Sequence, residues 1–320
     1  MTANYGDPMP KADAIELMKN VYENGVTFWD TAEAYCCEMP DGTTLFNESV
    51  LGDAIRTLSL PRDQLQLATK YMPTTHGDTM TPETCVAAAK ASCERLGVDC
   101  IDLYYVHRFH PKVPVEEQAR AMLAVKEAGL ATHIGVSEFA PESLQAFHAI
   151  CPVTAIQNEW SLMNRDLEEQ LVPVCRELGI GIVAYSPLSR SLLTGTVTSV
   201  EQLSGGSADN RPARYPRFLP ENISANAKLV EGVKVLASER GLTPAQLSLA
   251  WVASQGEDVV PIPGTTKIAN LLSNVAAQSG GAEKLLSAEE CALVAAAVPH
   301  DQVVGERYTG GDAATWKGNL

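Results

Sequence analysis

Short apolar runs alternate with amphipathic stretches along most of the chain. The apolar runs have the length and composition of buried strands, whereas the stretches between them carry apolar residues at helical spacing. The seven predicted strands lie at about residues 26–30, 65–69, 101–106, 132–136, 153–157, 180–184 and 258–262. Strands that alternate with helices in this way pair in parallel through right-handed crossovers. The pattern therefore predicts an α/β fold.

The helices between these strands have recognisable start and stop signals. Thr81 followed by Pro82 is typical of a first helical turn, and Gly129 and Gly179 stand where two helices should end. The predicted helices span about residues 11–24, 47–55, 81–96, 115–128, 141–149, 167–178, 224–240, 243–254 and 288–298. Residues 36–44 and 187–222 show neither the strand nor the helix pattern and are predicted to be loops. A loop as long as the second is usually functional.

The strand count bears on how the sheet closes. A (β/α)8 TIM barrel has eight parallel strands, and the strand missing from the count would precede the first helix, which begins near Lys11. Residues 1–4 are too few to form it. We therefore expect a (β/α)8 TIM barrel lacking its first strand, in a chain shortened at its N-terminus by roughly 20 to 35 residues. Residues 1–320 are expected to form a single domain, as barrels of this length commonly do.

Composition narrows the range of partners. Of the 320 residues 45% are hydrophobic and 20% are charged, with a formal net charge of -15. This acidity argues against nucleic acid and anionic membranes as general partners, so an anionic ligand must be held by local cations or backbone amides. No apolar run approaches the roughly 18 residues of a membrane span, and the first residues do not resemble a secretory signal. The eight cysteines show no Cys-x-x-Cys spacing, so we expect reduced thiols in a cytoplasmic protein. The oligomeric state is left open.

Polar residues close several of the predicted strands. Asp30 ends the first, Lys70 the second and His107 the third, and Tyr35 follows Asp30 after a short turn. Tyr185 closes the strand at 180–184. Because the carboxyl ends of parallel barrel strands meet on the face that carries the active site, we expect these side chains to lie close together.

Four of these residues, Asp30, Tyr35, Lys70 and His107, together suit one kind of chemistry. An ammonium group favours the phenolate form of a nearby tyrosine, and an aspartate would hold that ammonium charged and in place. A neutral histidine can donate a hydrogen bond to a carbonyl oxygen. The set therefore predicts a general acid with an orienting group and without a nucleophile. Each residue alone has a commoner structural explanation, but four on three successive strand ends favour catalysis.

Several longer motifs follow one another in a characteristic order. They are Asp30-Thr31-Ala32-x-x-Tyr35, Asn47-Glu48-x-x-Leu51-Gly52, Thr69-Lys70, Ile101-Asp102-Leu103-Tyr104-Tyr105-x-His107-Arg108, Ile134-Gly135-Val136-Ser137, Gln157-Asn158-Glu159, Ala184-Tyr185-Ser186-Pro187-Leu188 and Pro261-Ile262-Pro263-Gly264-Thr265. Their order and spacing resemble those of the aldo-keto reductases, in particular the pyridoxal reductase-like and broad-range aldehyde reductases. The resemblance covers nearly the whole chain.

The resemblance implies an enzyme that reduces an aldehyde or ketone to an alcohol with NADP(H) and without a metal. The catalytic residues would be Asp30, Tyr35, Lys70 and His107, with Tyr35 as the general acid. The nicotinamide would be held by Ser137, Gln157 and Tyr185, the last stacking on its ring. The pyrophosphate would lie along Ser186, Pro187, Leu188, Ser189 and Arg190. The adenosine 2′-phosphate would be held by Gly264, Thr265, Thr266 and Lys267, with Asn270 and Asn274 near the adenine.

Other sequence features bear on this cofactor. Arg190 and Lys267 are local cations near strand ends of an acidic chain, as an anionic ligand requires. No glycine fingerprint of a doubly wound dinucleotide-binding fold is present. Two departures from the family pattern stand out: Glu138 occupies a position where Asn is usual, and Ser189 and Ser191 flank Arg190 where Gly is usual.

Three questions stay open from the sequence. Thr266 stands where the family usually has a basic residue, so NADPH and NADH remain alternatives. The substrate depends on loops at residues 36–46, 108–114 and 187–222, whose shape the sequence does not define. Two other functions are compatible with the chain: a cofactor-binding, redox-sensing regulatory subunit of the same fold with little turnover, and a Schiff-base aldolase that uses Lys70.

Overall fold

A computed structural model describes residues 7–203, 209–277, 286–310 and 315–319. The chain divides into two compact units. Unit 1 comprises residues 1–156 and 316–320, and unit 2 comprises residues 157–315. The strands and helices named below all lie within the described residues.

The main sheet contains the seven strands that the sequence predicts. These strands are β1 (Phe28–Asp30), β4 (Gln66–Tyr71), β5 (Ile101–Val106), β6 (Ala131–Ser137), β7 (Val153–Glu159), β8 (Gly181–Tyr185) and β9 (Val259–Ile262). Their order in the sheet is their order along the chain, with β1 and β9 outermost. Two further strands, β2 (Cys36–Glu38) and β3 (Thr44–Phe46), form a separate antiparallel hairpin.

Parallel pairing aligns the carboxyl ends of neighbouring strands. In unit 1, β1 pairs with β4, β4 with β5 and β5 with β6, all in parallel. Lys70 of β4 lies opposite Tyr105 of β5. In unit 2, β8 pairs in parallel with β9, and Tyr185 lies opposite Ile262. The segments that follow paired strands therefore begin next to each other within each unit.

Helices occupy most of the chain between the strands of the main sheet. They are α1 (Lys11–Glu23), α2 (Asn47–Thr57), α3 (Pro82–Leu96), α4 (Val115–Glu127), α5 (Pro141–His148), α6 (Leu171–Leu178), α7 (Arg211–Arg214), α8 (Pro220–Glu239), α9 (Pro244–Ala253), α10 (Ile268–Ala276) and α11 (Ala288–Ala296). The Thr81 and Thr243 hydroxyls accept hydrogen bonds from the first turns of α3 and α9, the capping expected of a threonine before a proline. α3 ends on Gly97 and α6 on Gly179, each in the left-handed conformation.

The central strands of unit 1 are almost wholly buried. Every residue of β4 after Gln66 is buried, and so is all of β5 except Asp102. Continuous burial is typical of parallel strands covered on both faces. Close helix packing adds to this core, because a Cβ on Gly52 of α2 would lie only 2.5 Å from the Arg95 carbonyl oxygen of α3.

Helices α8 and α9 contribute several residues to the core of unit 2. Buried residues on these helices include Val230, Val233, Leu247, Leu249 and Trp251. The indole nitrogen of Trp251 donates to the Cys291 carbonyl oxygen of α11 at 3.0 Å. Between β8 and α8 the described chain consists of short 3-10 turns and α7, so the predicted long loop is largely irregular.

Some local expectations are corrected by the structure. Residues 36–44, expected to be a loop, contain β2 and the start of β3, joined by a turn in which Gly42 has φ of 80° and donates to the Met39 carbonyl oxygen. α8 begins at Pro220 rather than near residue 224, and α10 is an additional helix. The expected shortening upstream of the first helix concerns residues before Asp7, outside the described residues. None of the described helices is long and apolar enough to cross a membrane.

Candidate active site

A tight turn after β1 carries Tyr35. Thr31 donates its backbone N–H to the Ala68 carbonyl oxygen at 2.8 Å, which keeps the chain beside β4. The backbone N–H of Tyr35 donates to the Ala32 carbonyl oxygen at 3.0 Å, and its own carbonyl accepts from Asn47 at 2.8 Å. The backbone of Tyr35 is thus held on one side by its own turn and on the other by the start of α2.

Glu33 fixes the same turn from its other side. Its buried carboxylate accepts hydrogen bonds from the backbone N–H of Met72 at 2.6 Å and from the hydroxyl of Thr75 at 3.1 Å. The Nε2 atom of His76 lies 3.0 Å from both carboxylate oxygens. The His76 ring in turn stacks on Tyr71, with ring centroids 4.9 Å apart. Glu33 therefore ties the turn that carries Tyr35 to the segment after β4.

Lys70 is fully buried at the carboxyl end of β4. Its ammonium contacts the Asp30 carboxylate and donates to the Thr31 carbonyl oxygen at 2.7 Å. The same Nζ atom lies 5.0 Å from the centroid of the Tyr35 ring, and the Asp30 side chain is only 8% exposed. The ion pair therefore places a desolvated ammonium beside the phenol that was predicted to act as the acid.

His107 lies directly after β5 and faces the same tyrosine. The two rings meet edge to face, with centroids 5.6 Å apart and an angle of 83°. Burial, reinforced by the charges of Arg108 and Lys70, holds the pKa of His107 well below its ordinary value, so the ring is neutral at neutral pH. Its Nδ1 atom has no hydrogen-bond partner among the described residues. The structure thus brings Asp30, Tyr35, Lys70 and His107 together within unit 1.

The predicted nicotinamide residue Ser137 ends β6 and is buried. The guanidinium of Arg108 donates to its hydroxyl at 3.4 Å. The next residue, Glu138, is buried in the left-handed conformation with φ of 57°, and its carboxylate accepts from the Trp316 backbone N–H at 3.0 Å. A left-handed residue explains why Asn, which tolerates this conformation well, is usual at that position.

The other predicted cofactor residues lie in unit 2 at the ends of β7, β8 and β9. Gln157 is buried within β7, and Tyr185 is half-buried at the end of β8. The residues that follow Tyr185 are Ser186, Pro187, Leu188, Ser189 and Arg190; of these, Ser186, Ser189 and Arg190 adopt positive φ values between 47° and 52°. The side chain of Arg190 is only 4% exposed and is paired with Glu159. Arg190 therefore does not extend into solvent. An arginine that binds a phosphate usually has an exposed guanidinium before the ligand arrives.

The residues after β9 form a more open group. Gly264, Thr266, Lys267 and Asn270 are exposed, Thr265 is half-buried, and Asn274 is buried on α10. The hydroxyl of Thr265 accepts from the Lys267 backbone N–H at 3.1 Å, which sets the turn just before α10. A Cβ added to Gly264 would meet no heavy atom within 4 Å. Space for a ligand, hydroxyls and one ammonium are therefore gathered at a helix N-terminus, where anions are favoured.

Comparison with known proteins shows the family. The profile of the Aldo/keto reductase family matches residues 1–298. The chain belongs to this family. A relative from Glycine max, probable aldo-keto reductase 1, is 41% identical over 99% of this chain and 88% of its own length.

Two solved structures extend the comparison to the fold. The thermostable aldo-keto reductase Tm1743, in complex with the inhibitor epalrestat, is 27% identical with a TM-score of 0.70 over 92% of this chain and 93% of its own. An aldo/keto reductase from Klebsiella pneumoniae in complex with NADP and acetate is 26% identical with a TM-score of 0.68 over 90% and 86% of the two chains. The predicted α/β fold of the (β/α)8 class is confirmed.

This aldo-keto reductase also contains, in unit 2, a group of buried charges that its sequence does not predict. Glu159, the last residue of β7, is in contact with Arg190, Arg217 and Arg307. Burial alone would raise the pKa of Glu159, but the three guanidinium groups outweigh it and lower that pKa to about 2. Glu159 was noticed only as part of a motif, since its partners lie far away in sequence and no local pattern points to them.

Proposed function

We propose that this aldo-keto reductase reduces an aldehyde or ketone to the alcohol with NADPH, and that Tyr35 donates the proton. The observation that carries the proposal is the convergence on Tyr35 of the buried Lys70 ammonium and the neutral His107 ring. A buried cation beside a phenol stabilises the phenolate left after proton transfer. NADPH, when bound, supplies the hydride that the carbonyl carbon receives.

Each of the four side chains then has a separate task. Tyr35 protonates the substrate oxygen, and Lys70 stabilises the charge that develops on Tyr35. Asp30 supplies the counter-charge of Lys70 and holds its side chain in place, since the ammonium is otherwise cut off from water. His107, being neutral, donates a hydrogen bond to the carbonyl oxygen and so orients the substrate.

The residues after β8 and β9 suit a phosphorylated dinucleotide. Lys267 is an exposed cation next to the hydroxyls of Thr265 and Thr266, at the start of α10, where a 2′-phosphate would be favoured. Gly264 borders open space, so the backbone there can approach a ligand closely. The complex of the Klebsiella relative with NADP supports the same choice of cofactor.

The arrangement of Lys70 argues against the aldolase alternative. A Schiff-base lysine must be neutral and accessible when the substrate arrives. The Lys70 side chain is fully buried, and its ammonium is engaged by the Asp30 carboxylate and the Thr31 carbonyl oxygen. These contacts hold the Lys70 nitrogen away from an incoming carbonyl carbon and leave Tyr35 as the group placed to exchange a proton.

The direct test is NADPH oxidation by the purified chain against a panel of aldehydes, ketones and dicarbonyls, with NADH in parallel. We expect saturable turnover of at least one carbonyl class with NADPH. Tight NADPH binding without turnover of any panel member would contradict the proposal and favour a cofactor-sensing regulatory subunit.

A further inference from the structure

A buried network of charges and phenols in unit 2 surrounds Glu159, which is 1% exposed. Arg190 forms a bidentate ion pair with it, with both Nη atoms 3.0 Å from a carboxylate oxygen. Arg307 donates from Nε to the same carboxylate at 3.2 Å, and Arg217 lies 3.9 Å from it. We call Glu159, these three arginines, Tyr185 and Tyr308 the Glu159 cluster.

Two phenols connect this carboxylate to the predicted nicotinamide residue. The Tyr185 hydroxyl shares a hydrogen bond of 2.8 Å with the Tyr308 hydroxyl and accepts another from Arg307 at 3.0 Å. The Tyr308 hydroxyl also accepts from Arg190 at 3.0 Å. The far end of the Tyr185 ring is therefore fixed by two residues that lie more than a hundred positions later in the chain.

The backbone that follows Tyr185 is held by the same cluster. Ser189, Arg190 and Ser191 have φ values of 47°, 52° and 90°, which non-glycine residues adopt only at a cost in free energy. Such a turn persists where its surroundings define it from several directions. Glu159 holds the Arg190 side chain, and the rings of Tyr215 and Tyr308 lie 4.2 Å and 5.2 Å from its guanidinium.

A second buried ion pair holds the same turn through its backbone. Arg211 donates to the Arg190 carbonyl oxygen at 2.8 Å and to the Ser191 hydroxyl at 2.9 Å. Arg211 is itself fixed by the carboxylate of Asp209, and both side chains are at most 2% exposed. Glu159 thus holds the Arg190 side chain of the turn, while Arg211 binds the Arg190 carbonyl oxygen and the Ser191 hydroxyl.

We propose that the Glu159 cluster is a positioning device for the cofactor, in which Arg307 and Tyr308 are positioning residues that set the Tyr185 ring and the turn at residues 189–191. The inference rests on the proposed function, because it takes Tyr185 and this turn to contact NADPH. Arg190 then serves the site as an internal anchor, since its Nη atoms are already used by Glu159 and Tyr308. The cluster acts on cofactor affinity and leaves the chemistry at Tyr35 unchanged.

The test is Tyr308→Phe, which removes only the hydroxyl that joins Tyr185 to Arg190. The phenyl ring keeps its packing on Tyr215, whose ring centroid lies 5.5 Å away. The loss of one or two buried hydrogen bonds should raise the NADPH dissociation constant roughly 5- to 20-fold, measured by quenching of tryptophan fluorescence. We expect kcat at saturating NADPH to stay within about twofold. The thermal unfolding midpoint should fall by only a few degrees, since two hydrogen bonds are lost while the packing of the ring is retained.

The matched control is Tyr22→Phe, which removes a phenol that bonds to Gln64 in unit 1 and should leave NADPH affinity unchanged. An unchanged NADPH dissociation constant in Tyr308→Phe, or a loss of kcat at saturating NADPH, would overturn the inference. Failure of the wild-type chain to bind NADPH would instead refute the proposed function, so the two failures are distinguishable.

Discussion

Asp30 and Glu159 each end a strand of the main sheet, and each meets cations in the protein interior. Asp30 contacts one lysine, whose ammonium also lies beside the ring of Tyr35. Glu159 contacts three arginines, two of which donate to the hydroxyls of Tyr185 or Tyr308. The first carboxylate therefore supports a group proposed to react, whereas the second supports groups proposed to hold the cofactor.

The difference in cation follows the difference in task. A lysine ammonium is a compact charge, so at Lys70 it can act on the neighbouring phenol while it is held by Asp30. An arginine guanidinium is a rigid fork that binds a carboxylate in two places at once, so at Arg190 it fixes geometry. Under the proposed function, the compact ammonium lies where a proton is transferred, and the arginine pairs lie where the Tyr185 ring and the turn after it are held in place.

The largest effect is expected on turnover, from Lys70→Met, which removes the cation paired with Asp30 and leaves the Glu159 cluster intact. Without the ammonium beside Tyr35, turnover with NADPH should fall at least a hundredfold, because the charge left after proton transfer is no longer stabilised. Steady-state NADPH oxidation measures this. Lys90→Met, at an exposed lysine of α3 outside the three substrate loops, is the matched control and should keep wild-type turnover. Comparable losses in both variants would show that Lys70 has no special role.

Glu159→Gln should mainly lower the free energy of unfolding. The three guanidinium groups would lose their shared counter-charge in a buried site, which typically costs about 3 kcal/mol of unfolding free energy. Urea unfolding provides the measurement. The control is Glu168→Gln, at a partly exposed carboxylate paired with Arg165, where a loss below about 1 kcal/mol is expected. Equal losses at the two positions would contradict the importance given to the Glu159 cluster.

The contrast between the carboxylates also explains what the sequence could predict. Asp30 and Lys70 lie at the carboxyl ends of the largely apolar strands β1 and β4, and His107 directly follows β5, so their meeting follows from parallel pairing. The Glu159 cluster has no such pattern, because its members come from two strands, two 3-10 turns and the segment after α11. The inward direction of Arg190 depends on those distant partners.

Local structure was predictable where a single signal dominated. The cap of α3 follows from the Thr81-Pro82 pair and the end of α6 follows from Gly179, whereas α4 ends at Glu127, two residues before Gly129. The β2–β3 hairpin was missed because its strands have only three residues each, although Pro40-Asp41-Gly42 is a usual turn sequence. Short strands carry too few alternating positions for periodicity to be read.

A smaller effect is expected on the preference for NADPH, which carries the 2′-phosphate, over NADH, which lacks it. Lys267→Ala removes the exposed ammonium at the start of α10, so NADPH should bind about tenfold more weakly, while NADH binding stays nearly unchanged. Fluorescence titration with each cofactor measures the change, and Lys228→Ala, at an exposed lysine in the middle of α8, is the control. Equal weakening of both cofactors would place Lys267 away from the 2′-phosphate.

The smallest effect expected is a change in the acid dependence of stability. Because the pKa of Glu159 is lowered to about 2 in the folded chain from an ordinary value of 4.5, its ionised form stabilises the fold above pH 4.5, and this contribution is lost as pH falls towards 2. The difference in unfolding free energy between wild type and Glu159→Gln should therefore shrink over that window. A difference in unfolding free energy that stays constant from pH 5 to pH 2 would contradict the lowered pKa of Glu159.

The most direct test of the division between chemistry and cofactor positioning compares Tyr35→Phe with Tyr308→Phe, measuring both the NADPH dissociation constant and kcat at saturating NADPH. Tyr35→Phe should lose roughly 10²- to 10⁴-fold in kcat while its NADPH dissociation constant stays near that of wild type. Tyr308→Phe should show the opposite pattern, with weaker NADPH binding and nearly unchanged kcat. Substantial turnover in Tyr35→Phe, or a loss of kcat without a change in affinity in Tyr308→Phe, would contradict the account.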